Sequence, residues 1–230
     1  MAEMLLERGI PCTIEKPPGA DLDEVRTLAA TALRTGTHHM VSVNRRFNPS
    51  LNRAIDWAHS VGPVRYIRAA MVRSMRDKPD FIWGTGLHAV DAMRHIAGTE
   101  VVSYSSQTFD SPEISGQWHI VSFEFAGGVM GRLDILPTGG RTEETYELFG
   151  ENFSASFSSM FWKGNRIRCQ KCGTIEIDEL AVDEPHDLAS GAFAETSRFI
   201  AALRDGTPMA PMLDDVLPSL EICHDIARDK

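Results

Sequence analysis

The chain has 230 residues, of which 43% are hydrophobic and 24% are charged, and its formal net charge is -9. This composition is typical of a globular protein with one or two domains, and the acidic balance argues against general nucleic-acid binding, which needs cationic surface. No run of about 20 apolar residues predicts a membrane helix and no signal peptide is apparent, so we expect a cytoplasmic protein with no membrane partner.

The first 43 residues predict two helices that alternate with two strands. Residues 2–9 predict a short helix and residues 10–17 a strand. A second helix is predicted over residues 19–36, capped by Asp21 or Asp23 and ended by Gly36, and a second strand follows it. This order is typical of a parallel α/β layer.

The remaining chain predicts an α+β domain built on a large, mostly antiparallel sheet, with a domain boundary near residues 43–46. Asn48 and Pro49 open a helix that is followed by a strand over residues 64–74. Alternating apolar residues then predict strands with one wet face. These strands cover residues 100–109, 118–126, 128–136, 142–150, 152–159 and 173–178, and helices are predicted over 186–206 and 212–230.

The stretch Gly84-Thr85-Gly86-Leu87-His88-Ala89 fits the G-x-G-x-x-A pattern of a dinucleotide-binding turn. That turn should follow an apolar strand and should precede, by about 20 residues, an acidic residue at the end of the next strand. Only three apolar residues stand before Gly84, and Glu100 comes before the next strand. Both tests of context fail, so the pattern does not indicate a phosphate-binding loop here.

His88, Asp91 and His95 share one face of the helix that follows Gly86. Such a face points either to solvent, with incidental histidines, or to a functional cleft. The spacing does not match an established set of metal ligands, and no metal site is predicted from it.

Glu15-Lys16-Pro17 closes the first strand, and the carboxyl ends of parallel strands face the ligand crevice of an open α/β sheet. Lys16 is therefore either a ligand-binding residue or a surface lysine in a turn. Cys169 and Cys172 form one C-x-x-C, which the following strand pattern favours as two turn cysteines over a zinc site.

Taken together, four stretches resemble the glucose–fructose oxidoreductase/inositol dehydrogenase family (Gfo/Idh/MocA), and they occur in the family's order. They are TIEKPPG, VSVNRRFNPSL, GTGLHAVDAMRHIAG and the C-terminal FAETSRFIAALRDGTPMAPMLDDVLPSLEICHDI. The resemblance covers nearly the whole chain. It implies that residues 1–43 are the C-terminal remnant of a nucleotide-binding Rossmann domain, and that residues 44–230 form the substrate-binding and oligomerisation domain.

The resemblance also implies an NAD(P)-dependent oxidoreductase that transfers hydride between NAD or NADP and a sugar, cyclitol or related substrate. His88 would be the general base, and Lys16 would bind the reacting oxygen beside the nicotinamide. The cofactor-binding residues would be Glu15, Lys16, Pro17, Asn44 and Arg45, and the substrate-binding residues Lys16, Arg73, His88 and Asp91. Phe47 would line the junction between domains, and the protein would form a homo-oligomer through its sheet.

Two departures from the family pattern leave an alternative open. The family's Asp-x-Gly-x-His has Gly84 at the Asp position, so a carboxylate that would hold substrate or tune His88 is absent, and Asp91 is a candidate to orient His88 instead. The first strand, its Gly-rich turn and the ribose-reading acid are expected about 80–90 residues further toward the N-terminus. The chain is thus either part of a longer enzyme, which we favour, or a non-catalytic binding or scaffold subunit that has lost the cofactor.

Overall fold

The computed structural model describes residues 1–111, 114–160 and 164–228. Its first layer comprises helix α1 (Ala2–Glu7), strand β1 (Cys12–Ile14), helix α2 (Leu22–Thr35) and strand β2 (His39–Val41). β1 and β2 pair in parallel, as the alternating pattern predicted. The predicted domain boundary coincides with a 3-10 turn (Asn44–Phe47) that follows this layer, and the division into two domains stays a prediction.

Local sequence signals explain where the early helices begin and end. Asp21 caps α2 by accepting a hydrogen bond from the backbone N–H of Glu24, and Gly36 ends the helix in the left-handed conformation. Asn48 caps helix α3 (Pro49–Val61) by accepting from the N–H of Leu51. Both helices bury residues at intervals of three and four, as a helix with one apolar face does.

A mixed sheet of eight strands forms the second layer, in the order β10-β9-β8-β7-β3-β6-β5-β4. Every neighbouring pair is antiparallel except β3 and β6. The strands are β3 (Val64–Val72), β4 (Val101–Ser111), β5 (Ile114–Phe125), β6 (Met130–Leu136), β7 (Glu143–Gly150), β8 (Phe153–Ser159), β9 (Asn165–Lys171) and β10 (Thr174–Ala181). The predicted α+β class with a large, mostly antiparallel sheet is confirmed.

One face of this sheet is apolar, and the other carries charged side chains together with exposed apolar ones such as Trp118 and Met130. Helix α3 packs on β8 and β9, and helix α4 (Leu87–Ala97) packs on β3 and β6. The opposite face carries ion pairs such as Arg68 with Glu147 at 2.6 Å and Arg132 with Asp134 at 3.0 Å. The wet face that the alternating pattern predicted is therefore present.

The C-terminal region differs from the sequence prediction in one respect. The single helix predicted over 186–206 is two helices, α5 (His186–Ala189) and α6 (Ala192–Asp205). Gly191 separates them with a φ of 86°, and a Cβ there would lie within 2.7 Å of backbone atoms of Asn44, Phe47 and Asn48. The close approach of two backbones, which only tertiary contact creates, therefore breaks the helix.

Helix α7 (Leu213–Arg228) closes the chain and packs against both α2 and α4. It joins the first layer to the helix that carries His88. Among the described residues, no helix has both the length and the apolar character that crossing a bilayer requires.

Strand β9 was not predicted as a strand, although residues 165–171 alternate between buried and exposed positions. Cys169 is buried on β9, and Cys172 is exposed in the turn that leads into β10. No group of three or more metal-ligating side chains occurs in the described residues.

Candidate active site

Lys16 and His88 come from different layers and meet at one site. Lys16 follows β1, and its ammonium nitrogen Nζ donates a hydrogen bond of 2.6 Å to the carbonyl oxygen of Gly84. Gly84 lies in a π-helical turn (Ile82–Gly86) that runs directly into α4, where His88 is the second residue. This contact holds the end of the first strand against the turn that positions His88.

His88 is a buried imidazole, 7% exposed. Burial lowers its pKa well below the usual value, and the positive charges of Arg45, Lys16 and Arg73 lower it further. The ring is therefore neutral at neutral pH. Its buried Nδ1 has no hydrogen-bond partner among the described residues.

The pKa of Lys16 is also lowered, first by burial and then by the charge of Arg45. The negative charge of Glu15, an exposed residue, raises the pKa of Lys16 and so opposes this change. Lys16 is half-buried, so its ammonium lies at the boundary between the protein interior and solvent. Pro17, which follows it, is half-buried as well.

A buried carboxylate organises the arginines of the site. Glu144 on β7 accepts hydrogen bonds from Arg45 Nε and Nη2 at 3.1 and 2.7 Å, and it also accepts from Arg73 Nη2. Burial alone would raise the pKa of Glu144, but Arg45 and then Arg73 outweigh burial and lower it to about 2. The hydroxyl of Tyr146 donates to the same carboxylate at 3.3 Å.

Glu144 was not identified from the sequence, although a signal for it existed. Glu144, Tyr146 and Leu148 occupy alternate, buried positions of β7. A glutamate on the buried face of an alternating strand requires a charged partner. The pattern alone could not name the partners, because Arg45 and Arg73 lie on two other elements.

Arg73 and Arg45, both predicted site residues, are therefore brought together by Glu144. Their side chains are 7% and 16% exposed. Asn44 accepts a hydrogen bond from Arg45 Nη1 at 2.8 Å and donates one to the carbonyl of Ser190 at 2.9 Å. Asn44 thus links Arg45 to the segment just before α6.

Asp91, the predicted partner of His88, forms hydrogen bonds with two other residues. Its carboxylate accepts from Arg46 Nε and Nη2 at 2.8 and 2.7 Å, and from the hydroxyl of Ser219 at 3.0 Å. It is fully buried. Asp91 therefore ties α4 to the 3-10 turn and to α7.

His95 also has a structural partner, since its Nε2 lies 2.9 Å from Asn52 Oδ1 on α3. Of the two alternatives for this helix face, exposure to solvent is excluded for His88 and Asp91, which are both buried. Phe47, predicted at the domain junction, packs with Met40, Ala202 and Met209.

No protein-family model matches the chain. The rhizopine catabolism protein MocA of Rhizobium meliloti is 24% identical over an alignment of 239 residues, which covers 94% of this chain and 67% of that relative. This relative supports the resemblance to the Gfo/Idh/MocA oxidoreductases that the motifs indicated.

Solved structures confirm the fold. The structure of GenD2 from gentamicin A biosynthesis, in complex with NAD, superimposes with a TM-score of 0.79 at 22% identity, over 99% of this chain and 72% of that one. A putative myo-inositol dehydrogenase from Sinorhizobium meliloti superimposes with a TM-score of 0.78 at 19% identity, over 100% and 75% of the two chains. The chain thus spans about three quarters of the length of these structures.

Proposed function

We propose that the chain carries the catalytic site of an NAD(P)-dependent oxidoreductase that acts on a hydroxyl or carbonyl group of a sugar, cyclitol or related substrate. The observation that carries this proposal is the meeting of Lys16 with the turn that positions His88. A cation and a neutral imidazole at the carboxyl end of a parallel strand form a site suited to proton transfer and to stabilising an alkoxide.

His88 is the general base for the hydroxyl proton in this proposal. Its lowered pKa keeps the imidazole neutral, so a ring nitrogen has a free lone pair at neutral pH. Nε2 accepts the proton when Nδ1 carries the ring hydrogen. Within the described ranges buried Nδ1 then has no acceptor, which costs the folded state about 1–3 kcal/mol.

Lys16 binds the reacting oxygen and stabilises negative charge on it. One N–H of its ammonium is held by the Gly84 carbonyl, which fixes the direction of the side chain. The positive charges of Arg45 and Arg73 add to the stabilisation of an alkoxide. The same charges weaken His88 as a base, so the two effects oppose each other.

The cofactor-binding residues in the proposal follow the carboxyl ends of β1 and β2. These are Glu15, Lys16 and Pro17 after β1, and Asn44 and Arg45 after β2. This edge of a parallel sheet is where open α/β folds bind ligands, and the cationic Lys16 and neutral His88 fit the nicotinamide end of the cofactor. When bound, the nicotinamide ring gives or accepts the hydride. The NAD complex of GenD2 supports NAD, and NADP stays within the proposal.

Arg73 and Asp91 have different roles in the proposal. Arg73 donates a hydrogen bond to Glu144, and its charge lowers the pKa of His88. In the proposal Arg73 therefore borders the substrate. Asp91 positions α4 through Arg46 and Ser219. We also propose a homo-oligomer that forms through the sheet, and a cytoplasmic location.

The test combines turnover with cofactor binding. We expect the protein to reduce NAD⁺ or NADP⁺ with a member of a panel of aldoses and cyclitols, including D-glucose and myo-inositol. Lys16→Met and His88→Asn should lower kcat/KM by about 100-fold or more while the melting temperature stays near that of the wild type. Quenched or enhanced fluorescence of NADH on binding gives a readout that is independent of turnover.

The second candidate is a non-catalytic binding or scaffold subunit. Gly84 at the expected Asp position favours it, as does the absence of a Gly-rich turn after β1 or β2 in the described residues. It predicts no turnover with any member of the panel and no change in NADH or NADPH fluorescence. That result would replace the oxidoreductase proposal.

A further inference from the structure

Two neighbouring residues of the π-helical turn bind the segment that follows β1. The carbonyl oxygen of Gly84 accepts the hydrogen bond from Lys16 Nζ at 2.6 Å. The indole Nε1–H of Trp83 donates a hydrogen bond of 3.1 Å to the carbonyl oxygen of Gly19, three residues after Lys16. The turn therefore binds both ends of residues 16–19, which we call the lysine loop.

Both partners of the indole bond are packed against other parts of the fold. A Cβ on Gly19 would lie 3.1 Å from the backbone nitrogen of Val25, so the lysine loop is in close contact with the first turn of α2. Trp83 follows the buried Ile82, and its ring meets that of His224 on α7 edge to face, with the ring centroids 6.5 Å apart. The indole N–H thus joins two segments that are each fixed by their own packing.

Lys16 by itself constrains the lysine loop only weakly. Its ammonium ends a flexible four-carbon stem, so a hydrogen bond at Nζ fixes the tip of the side chain more than the backbone of the loop. The indole of Trp83 is rigid and its N–H is a donor only, so its bond to a carbonyl oxygen defines one arrangement at little entropic cost. The position of the backbone that carries Lys16 therefore depends more on Trp83 than on the ammonium.

We propose that Trp83 is a positioning residue of the candidate site, whose indole N–H holds the lysine loop against the turn before α4 and so keeps the ammonium of Lys16 in place. Trp83 does not touch the reacting atoms in this proposal. The effect on catalysis rests on the proposed function, whereas the effect on Lys16 itself does not.

The first test measures the pKa of Lys16 in the full chain, from the pH dependence of its acetylation by acetic anhydride followed by peptide mass spectrometry. Burial is the largest cause that lowers this pKa. Trp83→Phe removes the indole donor and keeps an aromatic ring, so the lysine loop should move toward solvent. The pKa of Lys16 should then rise toward the ordinary value of lysine. An unchanged pKa of Lys16 in this variant would overturn the inference.

Trp57→Phe is the matched control. Trp57 is also partly buried, its Nε1–H donates at 3.0 Å to Glu176, and its ring meets that of Phe153 edge to face. It lies on α3, which packs on β8 and β9, so this variant should leave the pKa of Lys16 as it is in the wild type. Both variants retain the charged groups that act on Lys16, which are Arg45, Glu15, Arg73 and Glu144. An equal rise in Trp57→Phe would show general loosening and would overturn the inference.

Exchange of the indole protons in the wild type provides a test that does not depend on either variant folding. The bond from Trp83 is partly buried, whereas the indole N–H groups of Trp57 and Trp118 donate at the exposed surface. Hydrogen exchange followed by NMR should be at least about tenfold slower for the indole of Trp83 than for the other two. Equal or faster exchange at Trp83 would show that its bond to Gly19 is not maintained, and would overturn the inference.

Turnover separates this inference from the proposed function. In the proposed reaction Lys16 stabilises charge that develops in the transition state, so Trp83→Phe should lower kcat by about tenfold and change KM by less than about threefold. Trp57→Phe should change neither. A raised pKa of Lys16 in Trp83→Phe, with no hydride transfer by the wild type, would support the role of Trp83 and contradict the oxidoreductase. Undiminished turnover by Trp83→Phe would support the oxidoreductase and contradict the role of Trp83.

Discussion

The Nζ atom of Lys16 donates a hydrogen bond of 2.6 Å to the carbonyl oxygen of Gly84, 68 positions away in the chain. This bond joins the end of a strand in the parallel layer to the turn that begins the helix of the second layer. It orients the ammonium toward Gly84, which offers a backbone oxygen and has no side chain. The candidate site therefore depends on how the two layers are held together, and the following predictions test that arrangement.

The buried carboxylate of Glu144 should be far more important for stability than an exposed carboxylate on the same strand. Glu144→Gln leaves Arg45 and Arg73 without their shared anion, so we expect the free energy of unfolding to fall by about 3–5 kcal/mol. Glu147→Gln breaks the solvent-exposed pair with Arg68 and should cost about 1 kcal/mol or less. Urea denaturation measures both values, and equal losses would contradict the central role of Glu144.

The contribution of Glu144 should also depend on pH. Its pKa in the folded protein is about 2, below the ordinary 4.5, so the folded state holds this proton less tightly than the unfolded state does. Its stabilising effect is complete above pH 4.5 and is lost as the pH falls toward 2. The difference in unfolding free energy between the wild type and Glu144→Gln should narrow over this range. A constant difference would show that the pKa of Glu144 is the same in the folded and unfolded states, and would contradict the lowered pKa.

Replacing His88 with leucine should make the protein more stable at neutral pH. The imidazole is buried, and its Nδ1 has no partner in the part of the chain that the structure describes. An apolar side chain removes that unsatisfied polar atom. We expect the free energy of unfolding to rise by about 1 kcal/mol in His88→Leu. A large loss of stability, seen in thermal or urea denaturation, would indicate that His88 has a structural partner instead.

The same pair of proteins should respond differently to acid. The pKa of His88 is lowered by burial and by three cations, so below pH 6.5 the unfolded state gains a proton that the folded state rejects. The wild type should therefore lose up to about 1.4 kcal/mol per pH unit from this residue as the pH falls below 6.5. His88→Leu should not show this loss. His95 and His119 contribute equally to the pH dependence of both proteins, so the comparison isolates His88. Parallel pH profiles for the two proteins would contradict the lowered pKa.

Asp91 should act through structure and not through substrate contact. Asp91→Asn removes the charge that Arg46 binds, and we expect about 3 kcal/mol of destabilisation. Asp178→Asn, which breaks an exposed pair with Arg166, is the control and should cost about 1 kcal/mol or less. The affinity of folded Asp91→Asn for the sugar or cyclitol that the wild type oxidises should be unchanged. A selective loss of affinity at unchanged stability would place Asp91 in the substrate site.

Gly191 and Gly206 allow the energetic cost of a positive φ to be separated from the cost of close packing. Both glycines have positive φ, so alanine at either position should cost about 1–2 kcal/mol. A Cβ at Gly206 meets open space, whereas one at Gly191 meets backbone atoms of the turn that carries Arg45. Gly191→Ala should therefore lose at least about 2 kcal/mol more than Gly206→Ala in urea denaturation. Similar losses would show that this turn can move away from α6.

Much of the local structure could be predicted because its causes lie within a few residues of each other. Asp21 and Asn48 cap helices by bonding to N–H groups three positions ahead, and alternation of apolar residues predicted most of the large sheet. The family resemblance of the stretches around Lys16 and His88 could be identified for the same reason, because each motif is a contiguous run of residues. The parallel pairing of β1 and β2 followed from the order of helices and strands.

The sequence by itself thus determined the helices with their caps, most of the strands and the two residues at the centre of the candidate site. Only the tertiary structure decided that Gly191 breaks a helix, that Asp91 binds Arg46, and that Glu144 joins Arg45 to Arg73. These relationships link residues 45 to 147 positions apart. Ion pairing and close backbone contact depend on distance in space, and no local pattern of residues records that distance.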